Sequence, residues 1–224
     1  MDNNNQTSAI VFLPREGEGR SVMLENILFD PAAVWLRESL RRAGVARFMV
    51  VCHRDDRPGA EACFPENAVF VATGDPSAVE ELHSFLETPG RVIVVTQPVF
   101  LLDEDEAGDR AQGVYDLSQD TRKAVLDGAD FLTALRESSP NLGELSARPV
   151  DRAGLAGVLP ALAKAQSVRR LQAQGVVVVT PRPSTSRPPS QWRRGPCSCP
   201  GPSSGGIPRS APTARSAPTP FSRT

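Results

Sequence analysis

Short apolar runs alternate with more polar stretches along the first 180 residues of the chain. A continuous apolar run of four or five residues is typical of a strand buried inside a parallel sheet. Runs of this kind predict five strands, at residues 9–13, 48–52, 68–71, 91–95 and 176–179. The segments between several of these runs carry signals for helices.

Two aspartate–proline pairs mark helix starts. Asp30 and Asp75 suit the N-cap position, and the proline after each suits the first helical position. The first of these helices is predicted to reach about residue 43, where Gly44 stops it. Further helices are predicted at 119–127 with Ser118 as cap, at 130–137, and at 151–172 with its ordered part beginning at Pro160. Alternating strands and helices predict an α/β domain with a mostly parallel sheet and helices on both faces.

The composition changes abruptly after residue 180. Residues 181–224 hold 11 of the 21 prolines and seven arginines, but no aspartate, glutamate or lysine. Such a segment can bury too little apolar surface to offset its backbone entropy, so a disordered Pro/Ser/Arg-rich tail is predicted after a domain spanning 1–180. The tail is either a linker or basic arm with loose nucleic-acid contacts, or the product of a frameshift.

The predicted domain is acidic. Residues 1–180 carry 18 lysines and arginines against 26 aspartates and glutamates, a net charge of about -8, which argues against nucleic acid as the main partner. No apolar run approaches membrane length, and the polar start does not have the pattern of a signal peptide. Cys52 and Cys63 do not have metal-binding spacing, which fits a reducing cytoplasm.

A glycine-containing loop follows the first predicted strand. Gly17 and Gly19 would let backbone N–H groups approach phosphates, and Arg20 would neutralise phosphate charge. A G-x-G pattern also occurs in ordinary solvent-exposed turns, so both interpretations stay open.

An acidic run follows the apolar residues 99–102. Asp103 and Asp105 form a D-x-D pattern, which can hold a divalent metal through two carboxylates. The alternative is a solvated acidic loop. His53 and His83 have no evident partner in the sequence, and surface or supporting roles are expected for both.

The tail can be back-translated in a reading frame shifted by one base. The segment from Val179 then permits D-P-A-T-V-Y-I, and 194–220 permits apolar residues at six-residue spacing, the pattern of a left-handed parallel β-helix. This string resembles the start of the acetyltransferase domain of the bacterial bifunctional N-acetylglucosamine-1-phosphate uridyltransferase / glucosamine-1-phosphate acetyltransferase family. On this hypothesis the tail replaces a β-helix, and trimerisation through that β-helix is lost.

The first 180 residues are similar to the uridyltransferase domain of the same family. Residues 29–32 fall where the family has G-K-P-M, and 92–99 fall where it has an apolar strand followed by G-D and P-L. Residues 113–115 look like its G-I-Y strand, and 163–176 look like its linker helix and the entry to its β-helix. The resemblance implies a nucleotide-diphospho-sugar transferase-like fold, Mg²⁺ as cofactor, and a nucleoside triphosphate and a sugar phosphate as substrates.

The signature loop of that family, L-A-A-G-x-G-T-R-M, is matched only in part. The resemblance assigns nucleotide binding to Gly17 and Gly19 and the catalytic arginine to Arg20. Gln97 stands where the family has its metal-binding aspartate, so Asp103 and Asp105 become the candidate metal ligands. Two functions stay open: an impaired uridyltransferase making UDP-N-acetylglucosamine, or a catalytically inactive scaffold domain of a hexapeptide-repeat acetyltransferase.

Overall fold

The computed structural model of the chain describes residues 6–102, 109–110, 112–137 and 146–178. Asp103, Asp105 and the predicted tail therefore lie outside the described residues. The ten strands of the described part are β1 (Thr7–Leu13), β2 (Asn26–Ile27), β3 (Asp30–Pro31), β4 (Val45–Cys52), β5 (Val69–Ala72), β6 (Val92–Val95), β7 (Val99–Leu101), β8 (Asp109–Arg110), β9 (Val114–Leu117) and β10 (Ser146–Pro149). Its seven α-helices are α1 (Ala32–Arg42), α2 (Arg57–Cys63), α3 (Ala78–Glu87), α4 (Gln119–Leu126), α5 (Phe131–Glu137), α6 (Arg152–Ala156) and α7 (Val158–Ala173).

The central sheet has five strands in the order β5-β4-β1-β6-β9. The first strand pairs in parallel with β4 on one side and with β6 on the other, and β4 pairs in parallel with β5. Only β9 runs antiparallel to its neighbour within this described sheet. The continuous apolar strands thus form the mostly parallel sheet that their composition predicts.

Side chains of β1 alternate between two apolar layers. Ala9, Val11 and Leu13 belong to a layer that includes buried residues of α1, α2 and α7. Ile10 belongs to a second layer, on the opposite face, which includes buried residues of α3, α4 and α5. Successive residues of a strand point to opposite faces, so helices cover both faces of the sheet. The predicted α/β class is therefore confirmed.

Two small antiparallel sheets accompany the central sheet, and the apolar pattern did not predict them. One has the order β7-β10-β8, and the other is the pair β2-β3. Between β2 and β3, Leu28 adopts a positive φ of 61° and the side chain of Phe29 is 89% exposed. These strands are only two to four residues long, too short for a readable alternation of apolar and polar positions.

Most predicted helix starts agree with the structure to within three residues, but the N-caps predicted at Asp30 and Asp75 are wrong, because α1 and α3 begin after Pro31 and Ser77. The hydroxyl of Ser118 accepts a hydrogen bond from the Thr121 N–H at 3.1 Å, which caps α4 as predicted. The long helix predicted over 151–172 is divided at Gly157 into α6 and α7, and α7 begins at Val158 rather than Pro160. Proline is tolerated there because its position lies in the first turn of the helix.

The strand predicted at 176–179 is wrong for residues 176–178, which have no regular secondary structure. Gly175 has a φ of 83°, and the Val176 N–H donates back to the carbonyl of Leu171 at 2.9 Å. Val177 is 86% exposed. A β-branched sequence forms a strand only where a neighbouring strand is available to pair with it, and here the chain turns back on the end of α7 instead.

No helix in the described part of the chain is long and apolar enough to cross a membrane.

Candidate functional site

The order of the strands places a crevice at one edge of the central sheet. The chain leaves β1 and enters β4 and β5 on one side, and only later returns to β6 on the other side. Connections from these adjacent parallel strands therefore diverge beyond their carboxyl ends. In open α/β sheets this topological switch point is the usual position of a ligand site.

A cavity of about 340 Å³ lies at this edge. Its lining comes from the ends of four strands and the loop after the first: Phe12, Leu13, Pro14, Arg15, Val51, His53, Thr73 and Thr96. The volume is at the small end of the range of about 300–1,000 Å³ for ligand pockets, which are also mostly apolar with a few polar groups. The cavity could accommodate a small organic molecule with one polar or charged end.

A buried carboxylate fixes the loop between β1 and the 3-10 turn at Val22–Leu24. The Arg15 Nε donates to Asp56 Oδ2 at 2.7 Å, and the Ser21 N–H donates to the same oxygen at 3.3 Å. Asp56 is only 2% exposed. Because these two contacts come from the beginning and the end of the loop, Asp56 holds the glycine-containing segment between them.

The charge state of Asp56 follows from these contacts. Burial alone would raise the pKa of its carboxyl, but the hydrogen bond from Arg15, the Ser21 N–H and the positive charges of Arg15 and Arg20 together hold that pKa below its usual value. Asp56 is therefore ionised at neutral pH and accepts from both partners.

Among the eight residues that line the cavity, Arg15 is the one arginine, and there is no lysine. Its Nη1 lies 3.4 Å from Asp55 Oδ2, and the Asp55 side chain is 72% exposed. The strong contact is the one to the buried Asp56, because charge interactions with an exposed carboxylate are weakened by water and salt. The fork of the guanidinium carries five N–H donors, more than these two contacts use.

His53 follows β4 and lines the same cavity. Its Nδ1 accepts a hydrogen bond from the Asp55 N–H at 3.3 Å, which caps the 3-10 turn at Arg54–Asp56. When the ring is neutral, accepting at Nδ1 places its proton on Nε2. His53 can therefore offer an N–H donor from its other ring nitrogen.

Two threonines complete the polar part of the lining. The Thr73 hydroxyl lies 3.3 Å from the Cys52 carbonyl, and the Thr96 hydroxyl lies 3.2 Å from the Gly113 carbonyl. Both hydroxyls donate to backbone, so their oxygens keep acceptor capacity for a ligand.

The glycine-containing loop predicted from the sequence adjoins the cavity. Gly17 has a φ of 70°, which a residue with a side chain adopts only at a cost, and a Cβ built there would have no atom within 4 Å. The guanidinium of Arg20 lies against Gly59 of α2, where an added methyl group would collide with it. Arg20 is not one of the cavity-lining residues, and its catalytic role stays a prediction.

The predicted metal ligands Asp103 and Asp105 lie outside the described residues. Within the described ranges, no group of three or more histidine, cysteine, aspartate or glutamate residues is placed to hold a metal ion. The eight cavity-lining residues include no carboxylate, the ligand type that Mg²⁺ prefers. The described lining by itself therefore does not fit a Mg²⁺ site.

The sequence analysis assigned no site role to the cavity residue Arg15 or to its buried partner Asp56, and only a surface or supporting role to the cavity residue His53. Arg15 lies before the glycines of the loop, at a position where the L-A-A-G-x-G-T-R-M pattern has no arginine. His53 and Asp56 lie after the second strand, more than thirty residues from that loop. The available signal was the position of both segments after neighbouring parallel strands, whose carboxyl ends share one edge of the sheet.

Neither a protein-family model nor a curated protein sequence matches the chain. Among solved structures it is similar to UDP-glucose pyrophosphorylase from Acinetobacter baumanii, with 14% identity and a TM-score of 0.33 over 45% of this chain and 48% of that chain. It is also similar to 4-diphosphocytidyl-2C-methyl-D-erythritol synthase from Anaerococcus prevotii, with 9% identity and a TM-score of 0.35 over 72% of this chain and 100% of that chain. A third similar structure is CMP:2-keto-3-deoxy-manno-octonic acid synthetase complexed with CTP, with 14% identity and a TM-score of 0.30 over 77% of this chain and 87% of that chain.

By name, these three solved structures are thus a pyrophosphorylase, a synthase and a synthetase. The chain spans about half the length of the UDP-glucose pyrophosphorylase. These three are not named as the bifunctional uridyltransferase / acetyltransferase, and membership of that family stays a prediction.

Proposed function

We propose that this chain is a sugar-phosphate nucleotidyltransferase-like domain that binds a nucleoside triphosphate at the carboxyl edge of its central sheet. The observation that carries the proposal is the cavity at the β1/β6 switch point, bordered by a glycine-containing loop. The Arg15 guanidinium belongs to the lining of this cavity, and the loop that carries Gly17 and Gly19 continues from the lining residues Pro14 and Arg15. The proposed donor is UTP and the proposed acceptor is N-acetylglucosamine 1-phosphate.

Gly17 and Gly19 have the proposed role of bringing backbone close to the phosphates. A Cβ at Gly17 would meet no neighbouring atom, so a ligand could approach this part of the loop without displacing protein. Arg20 has the proposed role of stabilising charge as the sugar phosphate attacks the α-phosphorus of UTP. Mg²⁺ held by Asp103 and Asp105 would supply further charge neutralisation in such a reaction.

A second candidate is a catalytically inactive scaffold domain, and one observation favours it. The cation that lines the cavity, Arg15, is engaged by Asp56 and lies close to Asp55. Two carboxylates beside one guanidinium leave little net positive charge to attract a triphosphate. Such a domain would support a hexapeptide-repeat acetyltransferase, with residues 181–224 standing in place of the β-helix after a frameshift.

The transfer reaction tests the first candidate directly. The full chain is incubated with UTP, N-acetylglucosamine 1-phosphate and Mg²⁺, and pyrophosphate release is followed. We expect release above the enzyme-free blank, reduced about 10²-fold by Arg20→Gln because one preorganised charged donor is lost from the reaction. Arg57→Gln is the matched control, since Arg57 pairs with Glu61 at the surface and does not line the cavity.

The two candidates differ in their outcomes. No pyrophosphate above blank, together with no UTP-induced rise in melting temperature, would favour the inactive scaffold, which is expected to show no nucleotide-dependent shift. Equal release by the wild type and by Arg20→Gln would contradict the role given to Arg20. The absence of both pyrophosphate release and a UTP-induced thermal shift would also contradict nucleotide binding itself.

The origin of residues 181–224 has its own test. Sequencing the gene from the codon of Gln174 past the present stop should show, after one restored base, a long frame rich in apolar residues at six-residue spacing. If that frame closes at once, the tail is the intended sequence and the frameshift hypothesis is wrong. A stable trimer of the present chain in sedimentation would also contradict the predicted loss of trimerisation.

A further inference from the structure

We propose that Arg15 and His53 form an anion-binding pair in the cavity and that they hold the phosphate group of a small organic phosphate. The proposal rests on the ligand-binding role given above to this cavity, and makes it more specific. It assigns the anion contact to two residues outside the glycine-arginine pattern from which the phosphate loop was predicted.

The first step is the geometry of the donors. Arg15 and His53 come from the ends of two paired parallel strands, β1 and β4, and both line the same cavity. Asp56 holds the Nε of Arg15 at 2.7 Å, so the guanidinium is fixed while part of its fork stays available. The Nδ1 of His53 lies 3.3 Å from both the Asp55 N–H and Asp55 Oδ2, so Asp55 fixes the ring through Nδ1 and the contact to an anion is assigned to Nε2.

The second step is the balance of charge. Asp56 is buried, and its two hydrogen bonds from Arg15 and Ser21 compensate its charge inside the protein. Asp55 is 72% exposed, and water screens its charge. Asp56 therefore positions Arg15 and offsets its charge, whereas Asp55 Oδ2 lies 3.4 Å from Arg15 Nη1 and 3.3 Å from His53 Nδ1 and opposes a bound anion. The proposed anion contact thus depends on directed hydrogen bonds from Arg15 and His53 rather than on net positive charge.

The third step is the rest of the lining. Phe12, Pro14 and Val51 give the cavity apolar walls, and the hydroxyl oxygens of Thr73 and Thr96 can accept hydrogen bonds. A volume of about 340 Å³ exceeds what a bare phosphate fills. These features fit a ligand with one anionic end and a body that combines apolar faces with N–H or O–H donors, as in a nucleoside monophosphate.

Histidine signals provide a direct measurement, because the chain has two histidines. Imidazole resonances are followed by NMR while the full chain is titrated with UMP, inorganic phosphate or uridine, without Mg²⁺. We expect saturable shifts of the His53 signals with UMP, and His83 on α3 serves as the internal reference. Uridine is expected to bind at least about tenfold more weakly than UMP, because it lacks the anion that the pair would hold.

Variants separate the roles of the neighbouring charges. Arg15→Gln is expected to weaken UMP binding about tenfold or more, while Arg57→Gln at the surface leaves it unchanged. Asp55→Asn is expected to tighten UMP binding by about two- to fivefold, because it removes an opposing charge beside Arg15. The Asp55 variant keeps the test decisive if Arg15→Gln proves poorly folded.

Several results would overturn the inference. These are UMP shifts that survive Arg15→Gln in a folded protein, weaker binding by Asp55→Asn, or no response of His53 to UMP or phosphate. Equal affinity for uridine and UMP would contradict the anion-binding role of Arg15 and His53 and would indicate a nucleoside site in the cavity instead. His53 shifts with UMP, together with no pyrophosphate release from UTP, would support the pair and count against the transferase.

Discussion

Replacing Phe48 by alanine is expected to destabilise the domain by about 3–5 kcal/mol, the usual cost of removing a buried aromatic ring. Phe48 lies in the centre of β4 and is only 1% exposed. Its ring packs against Phe64, with ring centroids 5.7 Å apart, in the apolar layer that α1 and α2 share with the sheet. Removing it leaves a cavity that this layer cannot close without moving the helices.

Phe29→Ala is the matched control, because it removes the same ring from an exposed position. Phe29 lies between β2 and β3 and is 89% exposed, so Phe29→Ala is expected to change stability by no more than about 0.5 kcal/mol. Urea unfolding of the wild type and both variants measures the difference as a fall in the midpoint at constant slope. Similar midpoints for the two variants would show that Phe48 does not lie in the layer described here.

The elements that could be predicted from the sequence are those that a local pattern determines. Four continuous apolar runs became β1, β4, β5 and β6, because a strand buried on both faces needs apolar residues on both. Ser118 and Asp130 were predicted to begin helices, and each accepts a hydrogen bond from an N–H three residues later. A cap is a contact within one turn, so the sequence alone carries its information.

The site could be predicted only in part, since its parts meet through pairing between distant segments. The loop after β1 was found from its glycines. The cavity residue His53 could not be assigned, because its position depends on the parallel register that aligns Leu13 of β1 with Cys52 of β4. The strand predicted at 176–179 is wrong because a strand needs a partner from elsewhere in the chain, and no described strand pairs with residues 176–178.

Replacing Asp56 by asparagine is expected to cost about 2–4 kcal/mol at neutral pH, because a buried charge partner is removed from Arg15 and a charged acceptor from the Ser21 N–H. Asp56 is 2% exposed, whereas the Arg15 side chain keeps 19% exposure and can recover some hydration. Asp55→Asn is the matched control. Its carboxylate is 72% exposed and 3.4 Å from Arg15, so a change within about 0.5 kcal/mol is expected.

The pH dependence distinguishes loss of the charge from loss of shape. The folded state depresses the pKa of Asp56, so its ionised form contributes stability above the unfolded pKa of about 3.9, and that contribution is lost as pH falls through the folded value. The difference in unfolding free energy between the wild type and Asp56→Asn should therefore be complete near pH 6–7 and should shrink below about pH 4. Urea unfolding at a series of pH values measures it, since the difference between the two proteins cancels the titration of the other carboxylates. A difference that stays constant down to pH 3 would mean that asparagine disturbs the packing around residue 56, and that the ion pair with Arg15 contributes little.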